Sequence, residues 1–228
     1  MKTEVKERPI TFNAPMVKAL LVGSKTVTRR PLKPQPIDVI ENKPIESNGV
    51  RSWCALTDKN PGRGKMIRCR LGEVGDRLWV RESFYIDDYR YESGPLPKRA
   101  PRLEDGMLIY SADGTCCEQF GECQCGGKGC PWRPASRMPK WASRITLEIT
   151  SVRVERLHAI GKDGRKAEQV KAEGIEDVAI AREREWFHPD DAPAIAFKRL
   201  WDSIYAKKRL GWEANPYVWR IEFKRINP

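Results

Sequence analysis

Apolar and polar positions alternate most regularly late in the chain. In "SRITLEITSVRVERL", Ile145, Leu147 and Ile149 face one way, Val152 and Val154 take over after them, and charged residues stand between. Period-two alternation of this kind predicts a half-buried strand, and the phase change at Thr150-Ser151 predicts a bulge or turn within it. The closing stretch "NPYVWRIEFKRI" sets Tyr217, Trp219, Ile221 and Phe223 against Val218, Arg220, Glu222 and Lys224, which predicts an amphipathic strand. A third strand is expected in "GDRLWVRESFYI", entered through a Gly75-Asp76 turn, and a fourth over Met107 to Ala112.

Helical spacing appears in three places. "RPITFNAPMVKALLVGSKTVTRRPL" reads as a short strand near Pro9 to Phe12, a helix capped by Asn13 with Pro15 in its first turn and Gly23 at its end, and then a second strand. "GRKAEQVKAEGI" predicts a helix that stops at Gly174, and Ala194, Phe197, Leu200, Trp201 and Ile204 recur at helical spacing further on. Residues 32–72 are rich in Pro, Asn, Lys and Gly and read as a loop insertion, and residues 87–135 as a second insertion. Strands early and late around two or three helices predict an α+β fold, a small mostly antiparallel β-barrel with helices packed on one side, as a single domain over 1–228. No GxGxxG or Walker A loop occurs, so no organic cofactor is expected.

Charge narrows the class of partner. A net charge of +11 and a pI near 9.4 favour polyanions such as RNA or DNA, although solubility alone also makes proteins basic. No run approaches the roughly 18 apolar residues that span a bilayer, and "MKTEVKERPITF" lacks the apolar centre of a secretory signal, so a cytoplasmic protein with no membrane partner is expected. With seven Cys and no secretion signal, a disulfide framework is not expected. Five of them crowd "CCEQFGECQCGGKGC". Thiolates suit a structural Zn²⁺ held by Cys116 or Cys117 with Cys123, Cys125 and Cys130, and free thiols on a loop are the alternative. Only two His are present, so Ser/His/Asp catalysis and a His-based metal centre are not expected.

The octet "GSKTVTRR" raises the sharpest question. If it is extended, Thr26, Thr28 and Arg30 share one face and Lys25 the other, and a bend at Lys25 brings its amine round to the same site. A solvated basic edge strand has this composition, and so has one wall of an anion site. Arg81-Glu82 is a second candidate wall or a plain cross-strand pair. The basic "NPGRGKMIRCR" is a solvated loop or a phosphate-tracking arm. Trp53, Trp132, Trp186 and Trp212 are expected in loops, where they suit base stacking, whereas Trp79, Trp141, Trp201 and Trp219 are expected in the core.

The octet resembles the G-x-K-x-x-(E/T)-x-R signature of the ASCH domain, a PUA-like β-barrel family. "GDRLWVRE", "VKAEGI", "FKRLWDSIY" and "PYVWRIEFKRI" resemble further segments of that family in the same order, and the set is similar to phage and prophage proteins of the class. The resemblance implies a PUA-like barrel with two long insertions, a nucleic-acid or modified-nucleoside partner, and host cytoplasm for a phage-encoded chain. One branch of the family removes the acetyl group from N4-acetylcytidine. Its catalytic positions match Lys25, Thr28 and Glu173, with Arg30 as the signature arginine and Thr26, Arg81 and Glu82 beside them as substrate-binding candidates. The chemistry is coherent: a desolvated amine as base, a hydroxyl as nucleophile and a carboxylate as proton shuttle. The amidohydrolases of that branch are shorter and lack the Cys-rich insertion, and other relatives are assigned to ribonuclease action or to binding alone.

Overall fold

A computed structural model describes residues 4–40, 44–47, 50–57, 60–87, 96, 107–114, 132–160, 166–175 and 191–226. The candidate zinc ligands Cys116, Cys117, Cys123, Cys125 and Cys130 lie outside the described residues, as does Trp186.

The chain opens with β1 (Glu7–Thr11), α1 (Ala14–Leu21) and β2 (Val27–Pro31). The Oδ1 of Asn13 accepts from the Met16 amide at 3.1 Å and so satisfies one unpaired donor at the start of α1, while Gly23, at φ +79°, ends it. Next come β3 (Asp38–Val39), β4 (Ile45–Ser47), β5 (Val50–Thr57) and β6 (Asn60–Ile67). After β7 (Arg77–Arg81), β8 (Phe84–Asp87) and β9 (Met107–Tyr110), the long β10 (Thr146–Arg156) leads to α2 (Lys166–Ala172), α3 (Ala192–Tyr205) and β11 (Tyr217–Ile226). The architecture is α+β and rich in sheet.

Five strands form the main sheet in the order β1-β7-β10-β11-β2, in which only β1 and β7 run parallel. The β10–β11 register shifts between Ile149 and Ser151, the bulge that the phase change predicted. One face of the sheet carries Leu78, Leu147, Ile149, Val154, Trp219 and Ile221 into the principal core. Full burial of each such side chain contributes roughly 1.5–3 kcal/mol. On the opposite face Val218 joins Leu157, Val170, Phe197 and Trp201 in a second cluster beneath α2 and α3.

Two expectations are corrected. No ladder closes the sheet into a barrel among the described residues; α1 joins its edge strands, and the edges meet through side chains, Arg30 of β2 donating to the Thr11 carbonyl of β1 at 2.7 Å. Residues 32–72 are not a loop insertion but carry a small sheet in which β5 pairs with β3, β4 and β6. Alternation along "VRSWCALT" overrides the Pro and Gly composition around it, because Trp53 and Ala55 point inward and are 1% and 0% exposed. Trp53 meets Trp219 edge to face at 4.9 Å, so it belongs to the core and is no stacking platform. Trp212 likewise packs on the second cluster.

Candidate functional site

Two chain reversals make the site. Past Gly23 the backbone turns so that the Lys25 amide donates to Ala19 at 3.1 Å, which sets Lys25 against the end of α2. That end is fixed by Gly174 at φ +84°, where an added Cβ would come within 3.0 Å of the Lys25 Cδ and 3.1 Å of the Ala19 Cβ. A left-handed turn with so little room requires glycine. The Thr26 amide then donates to Ala172 at 2.9 Å and pins the start of β2 to the helix.

Lys25 and Glu173 meet as a result. The amine donates to the Val27 carbonyl at 2.8 Å, to the Glu173 carbonyl at 2.5 Å and to the Glu173 Oε2 at 3.4 Å. Both residues are buried, at 2% and 3% exposure, and the amine lies 5.2 Å from the centroid of the Phe12 ring. Burial pulls the Lys25 pKa down to about 8, against the opposing pull of the Glu173 carboxylate. The ammonium has three protons and three acceptors. A neutral amine would keep two donors for the two carbonyls, give up the longest contact and expose a lone pair.

Arg29, absent from the sequence reading, is the third member. Its Nε donates to Glu155 Oε1, its NH1 to Glu173 Oε1 and its NH2 to Gln169 Oε1, each at 2.8 Å. The side chain is 1% exposed, which is rare for arginine outside such a network. Two signals pointed to it. Gln169 and Glu173 are four apart at the end of one helix and share a face, and β-alternation puts Arg29 on the opposite face from Thr28 and Arg30.

Over this network lies a cleft of about 530 Å³, lined in part by Thr26, Arg153, Glu155, Gln169, Arg220 and Phe223. Thr150, the residue of the bulge, also lines it. Glu222 accepts from Arg153 at 2.9 Å and from Arg220, so these cations are partly neutralised. The cleft and the Lys25–Glu173 pair therefore share the partners of Arg29.

Of the other candidates Arg30 comes near Lys25, the two cations lying 5.3 and 5.2 Å from the same Phe12 centroid, and its charge adds to the lowering of the Lys25 pKa. Thr28 lies opposite Ile221 and Arg30 opposite Trp219, so both sit on the core face of the sheet, whereas Arg29 lies opposite Arg220 on the cleft face. Thr28 is 3% exposed. Arg30 stacks 5.3 Å from the Phe12 centroid and donates to Tyr205 at 3.4 Å. Arg81, opposite Thr11 in the β1–β7 register, stacks on Trp79 at 4.6 Å. Glu82 is 1% exposed and is held in a forked pair by Arg144 at 2.9 and 3.0 Å, away from Lys25's partners. Of the octet's hydroxyls, Ser24 and Thr26 are exposed, and Thr26 stands at the cleft wall.

The chain matches no family model, no curated protein and no solved structure. No helix among the described residues is long and apolar enough to cross a membrane.

Proposed function

We propose that the chain is an ASCH-like protein directed at nucleic acid or a modified nucleoside, and that the base or nucleoside enters the cleft over the Arg29–Glu173–Lys25 network. The observation that carries this reading is the burial of two cations and a carboxylate beside a cavity. Desolvating each ion costs several kcal/mol, and apolar residues of similar volume would fill the space without that penalty. Buried charges with a shifted pKa next to a cleft are a recurrent feature of binding and catalytic sites. The ordered ASCH-like motifs support the same reading. A PUA-like assignment rests on those motifs, and the sheet-rich α+β architecture is compatible with it.

Hydrolysis of an N4-acylated cytosine is a second reading, favoured by the Lys25 pKa near 8, which leaves a neutral fraction at ordinary pH. In that reaction the Thr28 hydroxyl would give its proton to Lys25 and attack the acyl carbon. The C–N bond would break as the cytosine nitrogen took that proton from the Lys25 ammonium, and water would then cleave the threonyl ester, releasing the carboxylic acid and restoring the Thr28 hydroxyl. Recognition without turnover is the better-supported form, because Thr28 faces the core side of the sheet and the amine is saturated by three acceptors.

Calorimetry with N4-acetylcytidine and cytidine, alongside chromatography of the products, tests both. Binding that weakens at least tenfold in Gln169→Ala, with no cytidine released, is expected. Cytidine and acetate released by the native chain and not by Lys25→Ala would replace recognition by hydrolysis. Absence of binding to nucleosides and to short RNA and DNA alike would end the reading.

A further inference from the structure

The basic stretch after β5 is a strand at the edge of the second sheet. Among the described residues β6 pairs only with β5, with Ala55 opposite Lys65 and Cys54 opposite Met66. Arg63 and Lys65 are two apart and therefore share one face, about 7 Å from each other along the strand. Arg68 and Arg70 follow at once, and all four side chains are exposed. Residues 60–72 contain no Asp or Glu.

What sets this edge apart is that its cations have no counter-charge among the described residues. Elsewhere on the surface, Arg51 pairs with Glu46, Arg77 and Lys140 with Glu7, Arg153 and Arg220 with Glu222, and Lys224 with Glu148. Among the described residues none of Arg63, Lys65, Arg68 and Arg70 enters an ion pair; the Arg68 Nε instead donates to the Ser52 hydroxyl at 3.2 Å, which holds that guanidinium beside β5. A single lysine suffices to guard an edge strand against pairing with another chain. Four cations within eight residues, paired with no acid among the described residues, exceed that need and present a linear array to a linear polyanion.

We propose that the β6 edge is a track for the phosphate backbone of nucleic acid. Lys and Arg in a row bind phosphates through charge and counterion release, so the track selects a polyphosphate chain and carries little base specificity by itself. This goes beyond the cleft reading and is independent of it, since a free nucleoside has no phosphate chain to engage.

Fluorescence anisotropy with labelled 20-nucleotide RNA, single-stranded DNA and duplex DNA, each across a KCl series, tests the proposal. Native protein is expected to bind at least one of them with an affinity that falls linearly in log-log form as salt rises. The quadruple variant Arg63→Gln/Lys65→Gln/Arg68→Gln/Arg70→Gln should lose at least tenfold in affinity at low salt, and its salt slope should shrink by roughly 3–4, at about 0.7–0.9 for each of four phosphate contacts removed. Because the four side chains are exposed, its thermal midpoint should match the native one; a double variant, Arg63→Gln/Lys65→Gln, gives the same test with half the change. Three results would overturn the track: native-like binding by the quadruple variant, an equal loss in Lys207→Gln/Lys208→Gln/Arg209→Gln, or salt-independent binding. Equal loss of affinity for anionic lipid vesicles would show a general anionic-surface site and would overturn it as well. Nucleoside binding in the cleft should be unchanged in the quadruple variant, so failure of one reading is separable from failure of the other.

Discussion

The Lys25 amine donates both to the main-chain carbonyl of Glu173, at 2.5 Å, and to its carboxylate, at 3.4 Å, across 148 residues of chain. One lysine thus joins the turn after α1 to the turn after α2. Arg29 grips the other oxygen of the same carboxylate at 2.8 Å, so two buried cations share Glu173, and Arg29 alone has a second carboxylate, Glu155. The members of this cluster are therefore not equivalent to remove.

Glu173→Gln leaves both Lys25 and Arg29 buried with a neutral amide between them. Removing one partner of a buried pair costs about 3–5 kcal/mol, and that range is expected here. Lys25→Met, by contrast, replaces a buried cation by an apolar chain of similar length while Glu173 keeps Arg29, so its loss should be below about 1.5 kcal/mol. Urea denaturation of the two variants checks the order, and a Lys25→Met loss as large as that of Glu173→Gln would refute it.

The pH dependence follows from Lys25. Its pKa falls from 10.5 in the unfolded chain to about 8 in the folded one, with burial as the main cause. Between those values the unfolded chain binds more protons, so this group's contribution to stability rises with pH from about 8 to about 10.5. Cys69 acts in the opposite direction, since burial raises its thiol to about 11. The native chain minus Lys25→Met is therefore the informative difference. That difference should move in favour of the native chain across the window, and a flat difference would mean that Lys25 is not desolvated.

Gly174→Ala tests the turn that brings the pair together. Its φ of +84° costs a side-chain-bearing residue about 1–2 kcal/mol. The new methyl would also crowd Lys25 and Ala19. A fall in thermal midpoint of roughly 3–6 °C is expected for a chain of this size, together with weaker nucleoside binding. Unchanged stability would show that the turn is not under this constraint.

How much of this was legible in the sequence depended on whether the signal was local. β10, β11 and the bulge at Thr150 follow from alternation alone, and α1 and its Asn13 cap from residue type and spacing. The pairing of Lys25 with Glu173 came from a motif resemblance, since nothing local relates residues so far apart. Arg29 is masked in the sequence because the motif singles out Arg30, although parity along β2 separates the two. Closure of the barrel was not decidable locally, because whether edge strands pair depends on where α1 sits between them. β5 is obscured in the sequence because flanking Pro, Gly and Asn outweigh a genuine alternation through Trp53.

The inward position of Trp53 has a measurable consequence. If residues 32–72 were a loose insertion, Trp53→Ala would be harmless, whereas a Trp that is 1% exposed and packed on Trp219 should cost about 3–5 kcal/mol on truncation. Denaturation followed by circular dichroism should show a single transition at lower denaturant. An unchanged midpoint would mean that the second sheet does not stabilise the first.

Arg144 gives the last comparison, between a buried and an exposed ion pair. Its guanidinium forks between Glu82 and Asp113 and lies 3.9 Å from the Tyr110 ring, and the Glu82 side chain is 1% exposed. Burial is the main cause that raises the Glu82 pKa above its ordinary 4.5, and Arg144 opposes it. Arg144→Met strands that carboxylate, so a loss of about 3–5 kcal/mol is expected near pH 7. An acid whose folded pKa is raised gives stability that is fully present below its unfolded pKa and is lost as pH rises through the folded value. Removing Arg144 raises the folded value further, so the deficit of the variant should shrink as pH falls toward 4.5, and Glu82→Gln in the same chain should recover part of it at pH 7. Lys198→Met, which breaks the exposed pair with Glu213, should leave the denaturation midpoint where it was. An Arg144→Met deficit that does not change with pH would show that the stranded Glu82 is not its cause.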